Sequence, residues 1–178
     1  EIDEDATILP YLSGYQTTLN YAVRKTYWPN IDLIPACLAL YEAELAIVMH
    51  LAAQTDVEKR VQFFLELKYG LQTVAENYDV ILLDSPPALG MISINVLMAA
   101  DALLVPSAAR MFDFSSTVQF FRMIHNYIGK IDANKQYRWI SVLTTLFDQR
   151  YESQKQFVEV MRTCFGDSMS QRVFFHSA

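Results

Sequence analysis

Residues 78–90, Tyr-Asp-Val-Ile-Leu-Leu-Asp-Ser-Pro-Pro-Ala-Leu-Gly, limit what this chain can fold into more than any other stretch. Val80, Ile81, Leu82 and Leu83 are consecutive, apolar and branched, in a run too short for a buried helix and bounded by Asp79 and a Pro-Pro turn. That pattern predicts a strand buried on both faces of a parallel sheet. Asp84 falls at its end, and in open α/β sheets ligands gather at the carboxyl ends of strands. Pro86 and Pro87 have no N–H to give to a ladder and force an extended exit. Gly90 permits close packing or a positive φ ahead of the next helix. Asp84 then has two readings. It caps the turn that follows, as a strand-end Asp often does, or it holds a divalent cation, usually through water.

Around this stretch strands and helices alternate. Residues 1–5 are too acidic for a core and read as exposed. Short helical segments are expected over residues 7–12 and 18–25, the second stopped before Trp28-Pro29. A short strand at residues 31–34 ends at Pro35, and a helix follows over residues 40–53. Between residues 56 and 77, Val57, Val61, Phe64, Leu67, Leu71 and Val74 recur at steps of three and four, which puts them on one helical face. Gly70 within it marks a break or a close contact. Residues 89–100 are apolar nearly all round and predict a buried helix. Its conspicuous polar side chain, Asn95, reads as a core amide bonded to backbone.

Further on, a strand is expected at residues 102–105, stopped by Pro106. The next helix, capped by Asp113 or Ser115, carries Phe114, Val118, Phe121, Ile124 and Ile128 on one face. Residues 138–143 predict a strand with an exit loop at 144–150, and residues 154–165 a helix ended by Gly166 as its C′ residue. A last strand begins at Val173. This alternation is α/β with a mainly parallel sheet.

Composition narrows the function classes. The 178 residues are 52% hydrophobic, enough for one globular domain. No apolar stretch is long enough to span a bilayer, and the N-terminus does not read as a signal peptide. Cys37 and Cys164 stand alone and the three histidines are scattered, so a metal site built from His and Cys is not expected. The net charge of −6 argues against a wholly basic nucleic-acid-binding domain and leaves room for a local basic patch. No spacing supports a Ser–His–Asp or Cys–His arrangement.

The string from Tyr78 to Gly90, with Ile94-Asn95-Val-Leu, Ala99-Ala100-Asp101 and Leu103-Leu-Val-Pro106, resembles the ParA family of deviant-Walker partition ATPases in order and spacing. It is most similar to the plasmid ParA/RepA branch, which carries Cys where Ser85 stands. A second stretch, residues 28–36 (Trp-Pro-Asn-Ile-Asp-Leu-Ile-Pro-Ala) with Leu38-Ala-Leu-Tyr41 and Glu44, resembles the same branch. The resemblance implies a P-loop NTPase-like fold of MinD/ParA type, α/β, with a mainly parallel sheet and helices on both faces. It implies that Asp84 accepts hydrogen bonds from Mg²⁺-bound waters, as the acidic residue of such nucleotidases does. Pro86, Pro87 and Gly90 would form the switch that senses the γ-phosphate. Asn95 would lie near that switch and the dimer face.

Asp148 and Arg150 match the family's Asp-x-Arg near the nucleotide base. Arg150 would contact nucleotide or DNA phosphate, and Lys155, Arg162 and Arg172 could extend a phosphate-tracking patch. Glu152 and Glu159 beside them favour a mixed, solvated helix face instead. The cofactors implied are ATP and Mg²⁺. The implied partners are a second copy in a homodimer, a centromere-binding ParB-like protein and non-specific DNA, with no membrane, in the bacterial cytoplasm at the nucleoid.

One family element has no counterpart here. The five glycines frame no Gly-x-x-x-x-Gly-Lys-[Ser/Thr] run, and Gly129-Lys130 closes a helix instead of opening one. The expectation is therefore that residues 1–178 form a single, partial ParA-like domain, incomplete in its sheet, with the phosphate-loop strand and helix and the C-terminal helices absent, and inactive alone. Two alternatives share the scaffold: a non-catalytic interaction module, and a septum-positioning ATPase of the MinD type.

Overall fold

The computed structural model describes residues 3–86 and 90–176, apart from the side chain of His50. They fall into two compact units, Glu1–Ala99 and Ala100–Ala178. Among the described residues no helix is long and apolar enough to cross a membrane.

The first unit opens with a short helix α1 (Leu9–Leu12) and an antiparallel pair, β1 (Arg24–Lys25) with β2 (Asp32–Leu33). Four helices follow: α2 (Leu40–Ala53), α3 (Val57–Phe63), α4 (Glu66–Gln72) and α5 (Met91–Ala99). Its core gathers Tyr11, Leu19 and Val74 with Ile8, Tyr21, Ile34, Leu71 and Tyr78. Gly70 makes the close contact. A Cβ there would stand 2.6 Å from the Tyr11 ring, whose hydroxyl donates to the Glu66 carbonyl at 2.9 Å.

Several expectations change in this unit. The segment at residues 18–25 is a 3₁₀ turn (Asn20–Ala22) and a strand, and the strand expected at residues 31–34 shrinks to the two-residue arm of a hairpin. The single helix expected between residues 56 and 77 is three pieces. Asp56 caps α3 by accepting from the N–H of Glu58 and Lys59, and tight turns at Phe64 and Leu65 then restart the chain as α4. The helix expected over residues 89–100 is α5.

The largest correction concerns residues 80–83, which form no strand. Their backbone makes no hydrogen bond among the described residues, and Val80 and Leu82 are 72% and 91% exposed. The physical reason is that a strand is stabilised by its neighbours. Without a ladder its N–H and C=O groups turn to water, and its side chains lose the sheet that would cover them.

The second unit is a three-stranded sheet in the order β3–β4–β5, parallel throughout: β3 (Leu103–Ala108), β4 (Ile140–Phe147) and β5 (Met169–Phe175). Helix α6 (Met111–Ile131) joins the first two strands and α7 (Glu152–Phe165) the last two. Both helices feed one core, in which Val142, Val158, Met161 and Met169 are buried with Phe114, Phe121, Phe157 and Phe165 around them. Connections of one hand stepping one way across a sheet place their helices on one face. Phe114 meets Phe157 and Phe165 edge-on, at centroid separations of 5.6 and 5.7 Å.

This unit confirms the α/β class and refines the bounds. β3 runs through Pro106, because it is an edge strand where the N–H that proline lacks has no ladder partner to lose. β4 extends to Phe147, absorbing half of the expected exit loop. α6 starts at Met111, so neither Asp113 nor Ser115 caps it; Asp113 instead lies in the first turn, where the helix dipole favours a carboxylate. Gly166 ends α7 at φ +53°, as its sequence position implies.

Candidate functional site

Asp84 ends the exposed extended segment, and its carboxylate is exposed. No described residue donates a hydrogen bond to it or pairs with it. A free carboxylate accepts only, and what it can accept from is water or water held by a cation. Among the described residues no group of three or more His, Cys, Asp and Glu side chains could hold a metal ion. A single carboxylate of this kind is compatible with a Mg²⁺ that keeps most of its own waters, the usual coordination of this cation beside phosphates. Pro87 lies outside the described residues; Pro86 is half-buried.

The ends of the segment are held. On its N-terminal side the Tyr78 hydroxyl donates to Asp32 Oδ2 at 2.7 Å, and Lys25 Nζ reaches the same oxygen at 2.8 Å. The Lys25 ammonium first, and then the Tyr78 hydroxyl, hold the Asp32 carboxyl below its ordinary range. On its C-terminal side Gly90 gives its carbonyl to the Ile94 N–H at 3.1 Å, opening α5. Within α5, Asn95 is 2% exposed. Its Oδ1 accepts the Leu67 N–H at 3.2 Å and its Nδ2 donates to the Met91 carbonyl at 3.4 Å. Leu67 is in the first turn of α4, whose N-cap Leu65 offers no side-chain bond. Asn95 supplies the acceptor that this helix start lacks. The core-amide reading of Asn95 is the one its contacts describe.

In the second unit Asp148 and Arg150 form one closed fork. Arg150 Nε lies 2.9 and 3.1 Å from the two Asp148 oxygens, and Nη2 lies 2.6 Å from Oδ2. The Arg150 N–H adds a bond at 3.0 Å, and Gln154 Oε1 accepts the Asp148 N–H at 2.9 Å. The guanidinium beside it holds the Asp148 carboxyl down to about 2. Leu146, two residues earlier, adopts φ +51°, in the region that favours glycine, and sits where the β4–β5 register shifts. Backbone strain of this kind persists only where its surroundings impose it.

The other basic residues divide. Lys155 pairs with Glu152 at 2.9 Å and Arg162 with Glu159 at 2.8 Å, both on the exposed face of α7. Only the Arg172 side chain, exposed on β5, has no partner among these four. Sequence reasoning singled out Asp84, Asp148 and Arg150 as candidates and did not single out the Asp32–Tyr78 tie. Its signal was present: Asp32 belongs to the second resembling stretch and Tyr78 opens the first.

Comparison with known proteins gives the family and the fold. An AAA domain family model, AAA_31, matches residues 2–137. Protein SopA of Escherichia coli K12 is 35% identical over 97% of this chain and 44% of its own length. A putative replication protein A of Rhizobium rhizogenes is 32% identical over 86% of this chain and 38% of its own. The chain thus spans less than half the length of either relative. Among solved structures, cobyrinic acid a,c-diamide synthase from Mycobacterium smegmatis with bound ADP and magnesium superposes with a TM-score of 0.79 at 22% identity, covering 98% of this chain and 67% of that one. At that identity the likeness speaks for the fold alone, an α/β arrangement with a parallel sheet and helices. The chain belongs to the AAA_31 family of AAA domains, as a relative of the ParA- and RepA-type partition proteins.

Proposed function

We propose that this chain carries the magnesium-facing and base-facing parts of a ParA-type ATPase of plasmid or chromosome partition. The observation that carries the reading is the exposed carboxylate of Asp84, without a partner among the described residues, in the middle of the motif string that the family resemblance rests on. Among its relatives by sequence are proteins named as a chromosome partitioning protein ParA and a putative replication protein A, and a structural neighbour holds ADP and magnesium.

In this reading Asp84 accepts from Mg²⁺-bound water while Pro86, Pro87 and Gly90 respond to the γ-phosphate. Mg²⁺ supplies charge neutralisation at the phosphates when bound; the protein's part is to orient its waters. Asp148 and Arg150 border the base, the fork fixing the guanidinium plane. ATP joins two copies, and the dimer binds DNA without sequence preference until a ParB-like partner stimulates hydrolysis. Arg172 is the freest of the proposed DNA contacts. At Arg150, Lys155 and Arg162 a phosphate would have to displace the carboxylate already bound.

The reading requires phosphate-cradling lysines from outside these 178 residues, since none of the Gly-Lys spacing they need is present. The purified 178 residues are expected to neither bind ATP tightly nor hydrolyse it. In protein that hydrolyses ATP, Asp84→Ala is expected to abolish the Mg²⁺-dependent turnover. Turnover by the 178 residues, or full activity in Asp84→Ala, would overturn the assignment.

A further inference from the structure

Glu44 lies in the second turn of α2 and reaches the start of α5. Its Oε1 accepts the Ile92 N–H at 3.1 Å. The first N–H groups of a helix have no acceptor within the helix, and a carboxylate placed there also meets the favourable end of its dipole. Gly90, two residues before Ile92, leaves room for this. A Cβ at position 90 would lie 2.8 Å from Glu44 Cδ and 3.0 Å from its Oε2. The absence of a side chain at position 90 and the carboxylate at position 44 are thus one arrangement.

The same logic operates at the other end of the segment, where Asp32 takes the Tyr78 hydroxyl. Both anchoring carboxylates come from one sequence stretch, residues 28–44, and both anchored groups flank Asp84. Nothing else on α2 explains a half-buried acidic side chain in a helix otherwise rich in Leu, Ala, Ile, Val and Met. Glu42, two residues after the helix start, is exposed and makes no such contact.

We propose that Glu44 is a positioning residue: it fixes the point where the Asp84–Gly90 segment joins α5, and Gly90 is glycine because that carboxylate occupies the space a side chain would need. The consequence for turnover rests on the reading of this segment as nucleotide-sensing; the anchor itself does not.

Amide hydrogen exchange tests the anchor without nucleotide. In Glu44→Ala, exchange at Ile92 is expected to rise about tenfold, the effect of losing one such hydrogen bond. Gly90→Ala should reproduce the rise by displacing the carboxylate. Glu44→Gln, whose amide oxygen can accept the same N–H, should stay near the parent rate. The amides of Leu67 and Val142 serve as references and should not change in any variant. Unchanged exchange at Ile92 in Glu44→Ala overturns the proposal. So does an equal rise in the Ala and Gln variants, or a rise shared by the two reference amides, since each would mark general loosening. In protein that hydrolyses ATP, Glu44→Ala should lower kcat with KM unchanged. An unchanged kcat in Glu44→Ala sinks the link to nucleotide sensing and leaves the exchange result to judge the anchor.

Discussion

Two apolar runs in this chain start from similar sequence and end in opposite states. Residues 80–83 and the first half of β4 are both rich in branched apolar side chains, Ser141 excepted. Val142 in β4 is fully buried, bonded on both sides in a parallel sheet and covered by two helices. Val80 and Leu82 are extended, unpaired and exposed. Since the residues are alike, what differs is whether a neighbouring strand is present. Apolar branching gives a strand its payload, and ladder partners decide whether that payload is buried.

The largest consequence of that difference is in backbone exchange. Amides of Ile81 to Leu83 should exchange near the rate of an unstructured chain, because no described group accepts them. Those of Val142 to Thr145 should be slowed to the limit set by unfolding of their unit. Mass spectrometry after brief deuterium exposure separates the two cases. Strong protection at Ile81 and Leu82 would show that the segment has found a ladder, and the contrast would collapse.

A smaller effect, on the scale of a few kcal/mol, separates the same regions in equilibrium unfolding. Met161 is fully buried beneath β4, and Met161→Ala removes most of its side chain from a packed core. The expected loss is about 2–5 kcal/mol in urea titration. Leu82→Ala removes side chain that water already covers, and should change stability by no more than about 0.5 kcal/mol. Equal losses at the two positions would mean that Leu82 is buried in solution.

The same contrast explains what could be read from sequence. Helix α2 was expected over residues 40–53 and runs over those residues, and Gly166 ends α7 as its position implied. Such features depend on neighbours one or two turns away. Residues 80–83 depend on a partner distant in sequence, and the period of their side chains says nothing of whether one is present. The breaks at Phe64 and Leu65 were hidden for a related reason: the apolar spacing continues through them, while Asn95 of another helix supports the restart. At the candidate site the Asp148–Arg150 fork was legible because its members are two residues apart. Glu44 and Gly90 were each noticed, one in the resembling stretch and one after the prolines, but only the fold joins them.

Each unit also carries one carboxyl whose pairing acid should release, and this is the smallest effect expected. Asp148 has its carboxyl held down to about 2 from an ordinary 3.8 by the bonds from Arg150. A depressed carboxyl stabilises the folded chain above its unfolded value, and the contribution fades as pH falls from about 4 towards 2. Asp32 is lowered in the same direction, chiefly by Lys25 and then by Tyr78, so its contribution is also lost as acid protonates it. Both side chains are tied to exposed cations, which water and salt screen, so each slope should be shallow. Urea midpoints of the parent, Asp148→Asn and Asp32→Asn measured from pH 5 to 2 would resolve them. Asp148→Asn should flatten the part of the curve that belongs to the second unit, and Asp32→Asn the part that belongs to the first. If Asp148→Asn leaves the profile unaltered, the fork with Arg150 is open in solution and the arginine is free for phosphate; if the profile flattens, any phosphate that binds there has to compete with Asp148 for the guanidinium.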